Sequence, residues 1–135
     1  MKEIENRKDV SKIVRNFYAK VRVDETLAPI FNGMIKDWEE HLEKLTDFWE
    51  INLFGGKLYE GNPITAHQKA DDFSHQQISP YHFGTWLNLW FETIDADFEG
   101  EKADILKRRA RKMQTILMVT IFEHRQKNKG KATEE

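Results

Sequence analysis

The sequence predicts an all-α fold. Apolar residues recur at intervals of three and four along most of the chain, as on one face of a helix, and no segment alternates apolar and polar residues as a strand would. With 135 residues, of which 39% are hydrophobic, the chain has the size and the apolar content of one domain with a core of its own. No internal repeat divides it. We therefore expect one helical domain.

The first predicted helix runs from about Asp9 to near Asp24. Its apolar residues fall at i, i+3, i+4, i+7 and i+11, and Tyr18 borders the face that they form. These residues are Val10, Ile13, Val14, Phe17 and Val21. Residues 27–31 follow with a proline at position 29. We predict a turn there, because the residue before a proline avoids the α region.

A second helix is predicted from about Lys36 to Gly55. Two adjoining apolar stripes give it a broad buried face, and its first turns carry acidic side chains that complement the helix dipole. The stripes comprise Trp38, His41, Leu42, Leu45, Phe48, Trp49 and Leu53. The pair Gly55-Gly56 is a strong stop signal, which makes this element the clearest of the chain.

Residues 55–80 have a different character, because they are rich in glycine, proline and polar side chains. Only residues 64–69 are predicted to form a short helix in this stretch. Ser79 and Pro80 then have the residue types of an N-cap and of the first helical position. The helix predicted after them is heavily apolar, with Phe83, Trp86, Leu87, Trp90, Phe91 and Ile94.

A last helix is predicted after Gly100, with an apolar period that runs to about Arg125. The residues beyond it are polar and carry a basic cluster without interleaved aromatic residues. We therefore predict a single domain over residues 1–126 and a polar, frayed C-terminal tail over residues 127–135.

Composition excludes several classes of function. The chain has 21 Lys+Arg against 23 Asp+Glu, a net charge of −2, so we expect no nucleic-acid partner. It has no cysteine, which excludes disulfides, thiolate metal ligands and cysteine nucleophiles. No apolar run is long enough for a signal peptide or a membrane span. We expect a cytoplasmic protein without a membrane partner.

The side chains suited to catalysis form no familiar motif. None of the 5 histidines pairs with another at i+3 or i+4, as a helical zinc site requires, and no serine has a glycine-flanked nucleophile elbow. His67 follows the turn Gly61-Asn62-Pro63 between two long predicted helices, where it suits a single axial ligand of a flat apolar cofactor. On these residues alone, an ordinary aromatic core with an unligated histidine stays open as well.

Six short motifs occur in order between Val10 and Glu123. They are NFYAKV (16–21), LAPIF (27–31), WEEH (38–41), DFWE (47–50), YEGNPITAH (59–67) and HFGTWL (82–87). In this order and spacing the chain resembles the truncated haemoglobins, short bacterial globins whose helices form a two-over-two sandwich around haem. The resemblance is strongest to their third group. It covers nearly the full chain and implies haem b as the cofactor.

The resemblance also implies roles for individual residues. His67 looks like the proximal ligand of the haem iron, and Phe31 looks like the phenylalanine that wedges the porphyrin. Tyr18, His41 and Trp86 look like the polar residues of the distal side; for His41 the alternative is a surface histidine that touches only the haem edge. The other residues implied to contact haem are Leu45, Phe48, Trp49, Tyr59, Ile64 and Phe83.

A protein of this kind is expected to bind O₂, NO and CO at a histidine-ligated iron. Polar distal residues favour retention and redox chemistry of the ligand over transport, so nitric oxide dioxygenation or peroxidase-like turnover is implied. Both reactions need electrons, and the sequence has no flavin or nicotinamide motif, so the reductase would be a separate partner. We expect a monomer. The alternatives are a ligand sensor or binding protein without turnover, and a helical interaction module without haem.

Overall fold

The computed structural model describes residues 1–55 and 79–134, with side chains as far as residue 126. The described residues form five helices. They are α1 (Arg7–Val21), α2 (Ala28–Met34), α3 (Trp38–Phe54), α4 (Pro80–Asp97) and α5 (Glu101–Glu134). The only β-type pairing within these ranges is an isolated parallel bridge between Lys2 and Phe98. None of these helices has the length and apolarity needed to cross a lipid bilayer.

The helix starts follow from capping chemistry. The side chain of Asn6 accepts a hydrogen bond from the Asp9 N–H at the start of α1, and Asp37 accepts one from the Glu40 N–H at the start of α3. Pro80 begins α4, as predicted, and the Ser79 N–H donates to Nδ1 of His82 at 3.1 Å. His82 therefore serves as a helix cap.

Two elements differ from the sequence prediction. Residues 27–31 were predicted as a turn, but α2 begins at Ala28, because Pro29 lies in the first turn, where its missing N–H costs no hydrogen bond. The last helix was predicted to keep its period to about Arg125, whereas its backbone continues to Glu134. Most residues after Arg125 are lysine, glutamine, alanine and glutamate, which favour helix without needing an apolar face.

The core lies around α1, which packs against both α3 and α4, while α5 packs against α4 and α3. The apolar face predicted for α1 is buried throughout. Trp90 of α4 is fully buried in this core, and its indole N–H donates to the carbonyl of Leu106 in α5 at 3.2 Å. This hydrogen bond removes the cost of burying the indole nitrogen. Buried residues of α1, α3, α4 and α5 thus form one shared core.

Ion pairs join α1 and α3 along their exposed sides. Arg15 contacts the carboxylates of Glu39 at 2.6 Å and Glu43 at 3.0 Å. Arg7, two turns earlier, contacts Glu43 at 2.8 Å. Arg7 also contacts Asp47 at 2.6 Å and Glu50 at 3.0 Å. Hydrogen bonding and attraction from Arg15 hold the pKa of the Glu39 carboxyl below its usual range. Because these pairs are exposed, each adds little stability, but together they favour one register between the helices.

Candidate functional site

Tyr18 lies at the centre of the candidate site. It is in the last turn of α1, and only 6% of its surface is exposed. Its ring packs edge-to-face on the imidazole of His41, with centroids 5.6 Å apart, and lies 5.9 Å from the ring of Phe31 in α2. Three of the residues that the sequence analysis singled out therefore meet where α1, α2 and α3 converge.

His41 lies in the first turns of α3, one turn after Trp38. Its side chain is half-buried, and its Nε2 atom is shielded from solvent. The indole of Trp38 packs edge-to-face on the imidazole at 5.6 Å and also lies 5.9 Å from the Tyr18 ring. The imidazole is thus held among aromatic rings and is not a freely solvated surface group. We call Tyr18, Phe31, Trp38 and His41 the distal cluster.

Trp86 of α4 approaches the same region through Phe17. The Phe17 ring lies 4.7 Å from that of Tyr18 and 5.1 Å from that of Trp86, with edge-to-face geometry in both contacts. Trp86 also stacks on Trp90 at 5.9 Å. The described contacts therefore join Trp86 to the distal cluster by way of one buried phenylalanine, which the sequence analysis assigned only to the helix face.

Leu45 and Phe48 follow His41 along α3, one and two turns later. Both are half-buried and pack against the main core. Phe48 contacts Trp49, whose ring stacks on Trp90 at 4.8 Å. Trp49 is only 3% exposed. Its described contacts therefore place Trp49 in the core beside Trp90.

Phe83 belongs to a second, smaller group of buried apolar residues. It is buried in a second apolar cluster with Leu117 and Ile121 of α5, and Ile30 of α2 packs against this cluster. Tyr59, Ile64 and His67 lie outside the described residues, so their roles, including the predicted iron ligation by His67, stay predictions.

Comparison with known proteins identifies the family. The model of the family described as bacterial-like globin matches residues 2–122. The chain belongs to the bacterial-like globin family. This globin is 29% identical over 123 residues to the group 3 truncated haemoglobin ctb of Campylobacter jejuni, which covers 88% of this chain and 93% of that protein. The resemblance to the third group of truncated haemoglobins is confirmed.

A solved structure shows the same fold. The crystal structure of a group III truncated haemoglobin from Campylobacter jejuni superposes with a TM-score of 0.80 at 29% identity. The match covers 92% of this globin and 98% of that chain. The predicted all-α, globin-like fold of a truncated haemoglobin is thereby confirmed, and family membership implies that this globin binds haem.

The described residues fit one side of a haem pocket. The distal cluster offers a phenol and an imidazole within an otherwise apolar aromatic surface, and Leu45 adds an aliphatic side chain one turn beyond. A flat apolar cofactor needs such a surface, with a small number of placed polar groups to orient what binds next to it. Sequence reasoning gave no site role to Trp38, or to Arg22, whose guanidinium carbon lies 4.5 Å from the centroid of the Trp38 ring. Trp38 was noted in an apolar stripe and in the motif WEEH (38–41) but was given no role at the site, and no motif includes Arg22.

Proposed function

We propose that this globin binds haem b at His67 and retains diatomic ligands, O₂, NO and CO, for redox chemistry on its distal side. The supporting observation is the contact of the buried Tyr18 ring with the half-buried His41 ring within an aromatic cluster. When bound, haem supplies a ferrous iron that takes the ligand and transfers electron density to it. The protein's own task is then to stabilise the partial negative charge on that ligand.

Tyr18 is the first donor in this proposal. Its hydroxyl belongs to a side chain removed from water, and hydrogen bonds to charged acceptors are about twice as strong as neutral ones. The aromatic rings around it keep the local dielectric low, which strengthens the bond further. The Trp86 indole N–H and the His41 imidazole are the other two donors proposed. Together they favour slow release of the ligand.

Slow release suits reaction better than delivery. We infer nitric oxide dioxygenation or peroxidase-like turnover as the reaction class, with an electron donor supplied by a separate reductase. The distal residues would hold the ligand in place while the second reactant arrives. In peroxidase-like turnover, which consumes protons, the Tyr18 hydroxyl or the His41 ring nitrogen would also supply a proton to the peroxide. The alternative to be distinguished from turnover is a protein that binds ligands without consuming them.

The test of retention is the O₂ dissociation rate of Tyr18→Phe, measured by stopped flow on the haem-loaded protein. Loss of one hydrogen bond to a charged acceptor should raise that rate about tenfold to a hundredfold. Tyr81→Phe is the matched control. It removes the same hydroxyl group from a tyrosine of α4 that is 68% exposed and lies outside the distal cluster. Equal rates for Tyr18→Phe and wild type would reject Tyr18 as the dominant donor.

A second measurement separates turnover from simple binding. The reduced, oxygenated protein is mixed with nitric oxide in the presence of an added electron donor. Repeated consumption of nitric oxide, slowed in Tyr18→Phe, supports the enzymatic proposal. A single stoichiometric reaction that does not resume after reduction would instead support a sensor or binding protein.

A further inference from the structure

Arg22 and Trp38 form a cation–π pair at the outer edge of the distal cluster. The guanidinium carbon of Arg22 lies 4.5 Å from the centroid of the Trp38 ring. A guanidinium over an indole face is a favourable arrangement, because the ring presents its negative face to the planar cation. Neither residue belongs to the set that the haemoglobin resemblance implies.

Trp38 also contacts the rings of two of the proposed donors, Tyr18 and His41. Its ring lies 5.6 Å from that of His41 at an interplanar angle of 88°, and 5.9 Å from that of Tyr18 at 52°. Tyr18 and His41 also contact each other at 5.6 Å. The three rings thus form a closed set of pairwise contacts, in which the position of each is limited by the other two.

The backbone of Arg22 is fixed to the elements that carry these rings. Its N–H donates to the carbonyl of Tyr18 at 2.9 Å, and its own carbonyl accepts a hydrogen bond from the side-chain amide of Asn32 in α2 at 3.2 Å. The guanidinium therefore extends from a stem held next to Tyr18. A substitution of the Arg22 side chain leaves both backbone hydrogen bonds in place.

We propose that Arg22 and Trp38 are positioning residues that hold the His41 ring against Tyr18 and so control the escape of the distal ligand. His41 is half-buried near the start of α3, and Trp38 occupies the space on one side of its ring. Removal of the Arg22 cation releases Trp38, and the imidazole then gains freedom to leave its contact with Tyr18. The inference rests on the proposed function, because ligand escape has meaning only for the haem-loaded protein.

The experiment compares Arg22→Leu with Arg22→Lys and with a matched control. Arg111→Leu is that control, since Arg111 covers the ring of Phe91 at 5.1 Å in an equivalent cation–π pair away from the distal cluster. We expect Arg22→Leu to raise the O₂ dissociation rate roughly three- to tenfold. Arg22→Lys keeps the charge without the planar group and should give an intermediate rate. Arg111→Leu should match wild type.

A spectroscopic readout separates positioning from a general loss of stability. The stretching frequency of haem-bound CO reports the polar groups that face it, so in Arg22→Leu it should shift toward the value of His41→Leu. The ring-proton NMR shifts of His41, which sense the neighbouring Trp38 and Tyr18 rings, should move in the same variant with or without haem. Trp38→Leu should reproduce both changes.

The outcomes distinguish this inference from the proposed function. If Arg22→Leu and Trp38→Leu match wild type in rate, CO frequency and His41 shifts, while Tyr18→Phe still releases O₂ faster, the positioning role is wrong and the haem function stands. If the wild-type protein takes up no haem, the proposed function is wrong, and so is the proposed control of ligand escape. The His41 shifts would then still decide whether Arg22 positions the ring.

Discussion

The buried ring of Phe17 packs edge-to-face on both Tyr18 and Trp86. The apolar spacing of the first helix predicted that Tyr18 borders its buried face, and the Tyr18 side chain is buried. The motif WEEH (38–41) includes Trp38, but no motif indicated its contact with Arg22, because that contact depends on how the end of α1 approaches the start of α3. Sequence spacing within one helix predicts a shared face, but it does not predict which side chains meet between helices.

The connection through Phe17 leads to a prediction for Trp86→Phe. Loss of the indole donor should raise the O₂ dissociation rate. In the double variant with Tyr18→Phe the two effects should be less than additive, because both donors are proposed to bind one ligand and both rings pack on Phe17. The measurement is stopped-flow O₂ dissociation for the four proteins of the cycle. Effects that add to within about 0.5 kcal/mol would contradict a shared network.

The helices themselves were predicted well where patterning and capping agreed. α1, α3 and α4 each combine a periodic apolar face with a polar N-cap, and each begins within a few residues of its prediction. α2 was missed because the rule applied to Pro29 describes the residue before a proline, whereas the proline itself is favoured in a first helical turn. Between Gly55 and Ser79 the sequence prediction lies outside the described residues.

The N-terminal segment is fastened to α1 by Asp9, which is only 8% exposed. Its carboxylate accepts the Glu5 N–H at 2.9 Å and contacts the Lys2 ammonium at 3.2 Å. Burial raises the pKa of Asp9, but the hydrogen bond from Glu5 and the Lys2 charge lower it by more, so the net pKa lies below its ordinary value. The segment that Asp9 holds includes Ile4, which is fully buried.

Asp9→Asn should therefore lower the free energy of unfolding by about 1 to 2 kcal/mol near pH 7. Since the pKa is depressed in the folded state, the stabilisation is complete above the unfolded value of roughly 3.9 and is lost as pH falls through the folded value. Urea unfolding of both proteins at neutral and acidic pH tests this, with Glu25→Gln at an exposed site as the control. A difference that persists unchanged in acid would show that the charge is not responsible.

For the molecule as a whole, the globin family match ends at residue 122, and the last buried core residue of α5 in the described part is Ile121. The backbone of α5 continues to Glu134, beyond both of these points. The sequence predicts a domain over residues 1–126. We propose that this part of the chain is sufficient for function.

Removal of residues 127–135 tests this limit. The shortened chain should take up one haem and should unfold within about 0.5 kcal/mol of the full-length protein, because the family match and the buried core residues of the described part both end before residue 127. Haem titration and thermal unfolding, compared with the full chain, give the answer. Loss of haem uptake, or a clearly lower midpoint, would place the last turns of α5 within the functional domain.

We infer that this globin holds haem through His67. The most direct measurement is the absorption spectrum of the haem-reconstituted protein, reduced and exposed to CO, beside that of His67→Ala. We expect a Soret band with one haem per chain in the wild type, and an altered or absent band in His67→Ala. No retained haem in either protein, or identical spectra for both, would contradict it.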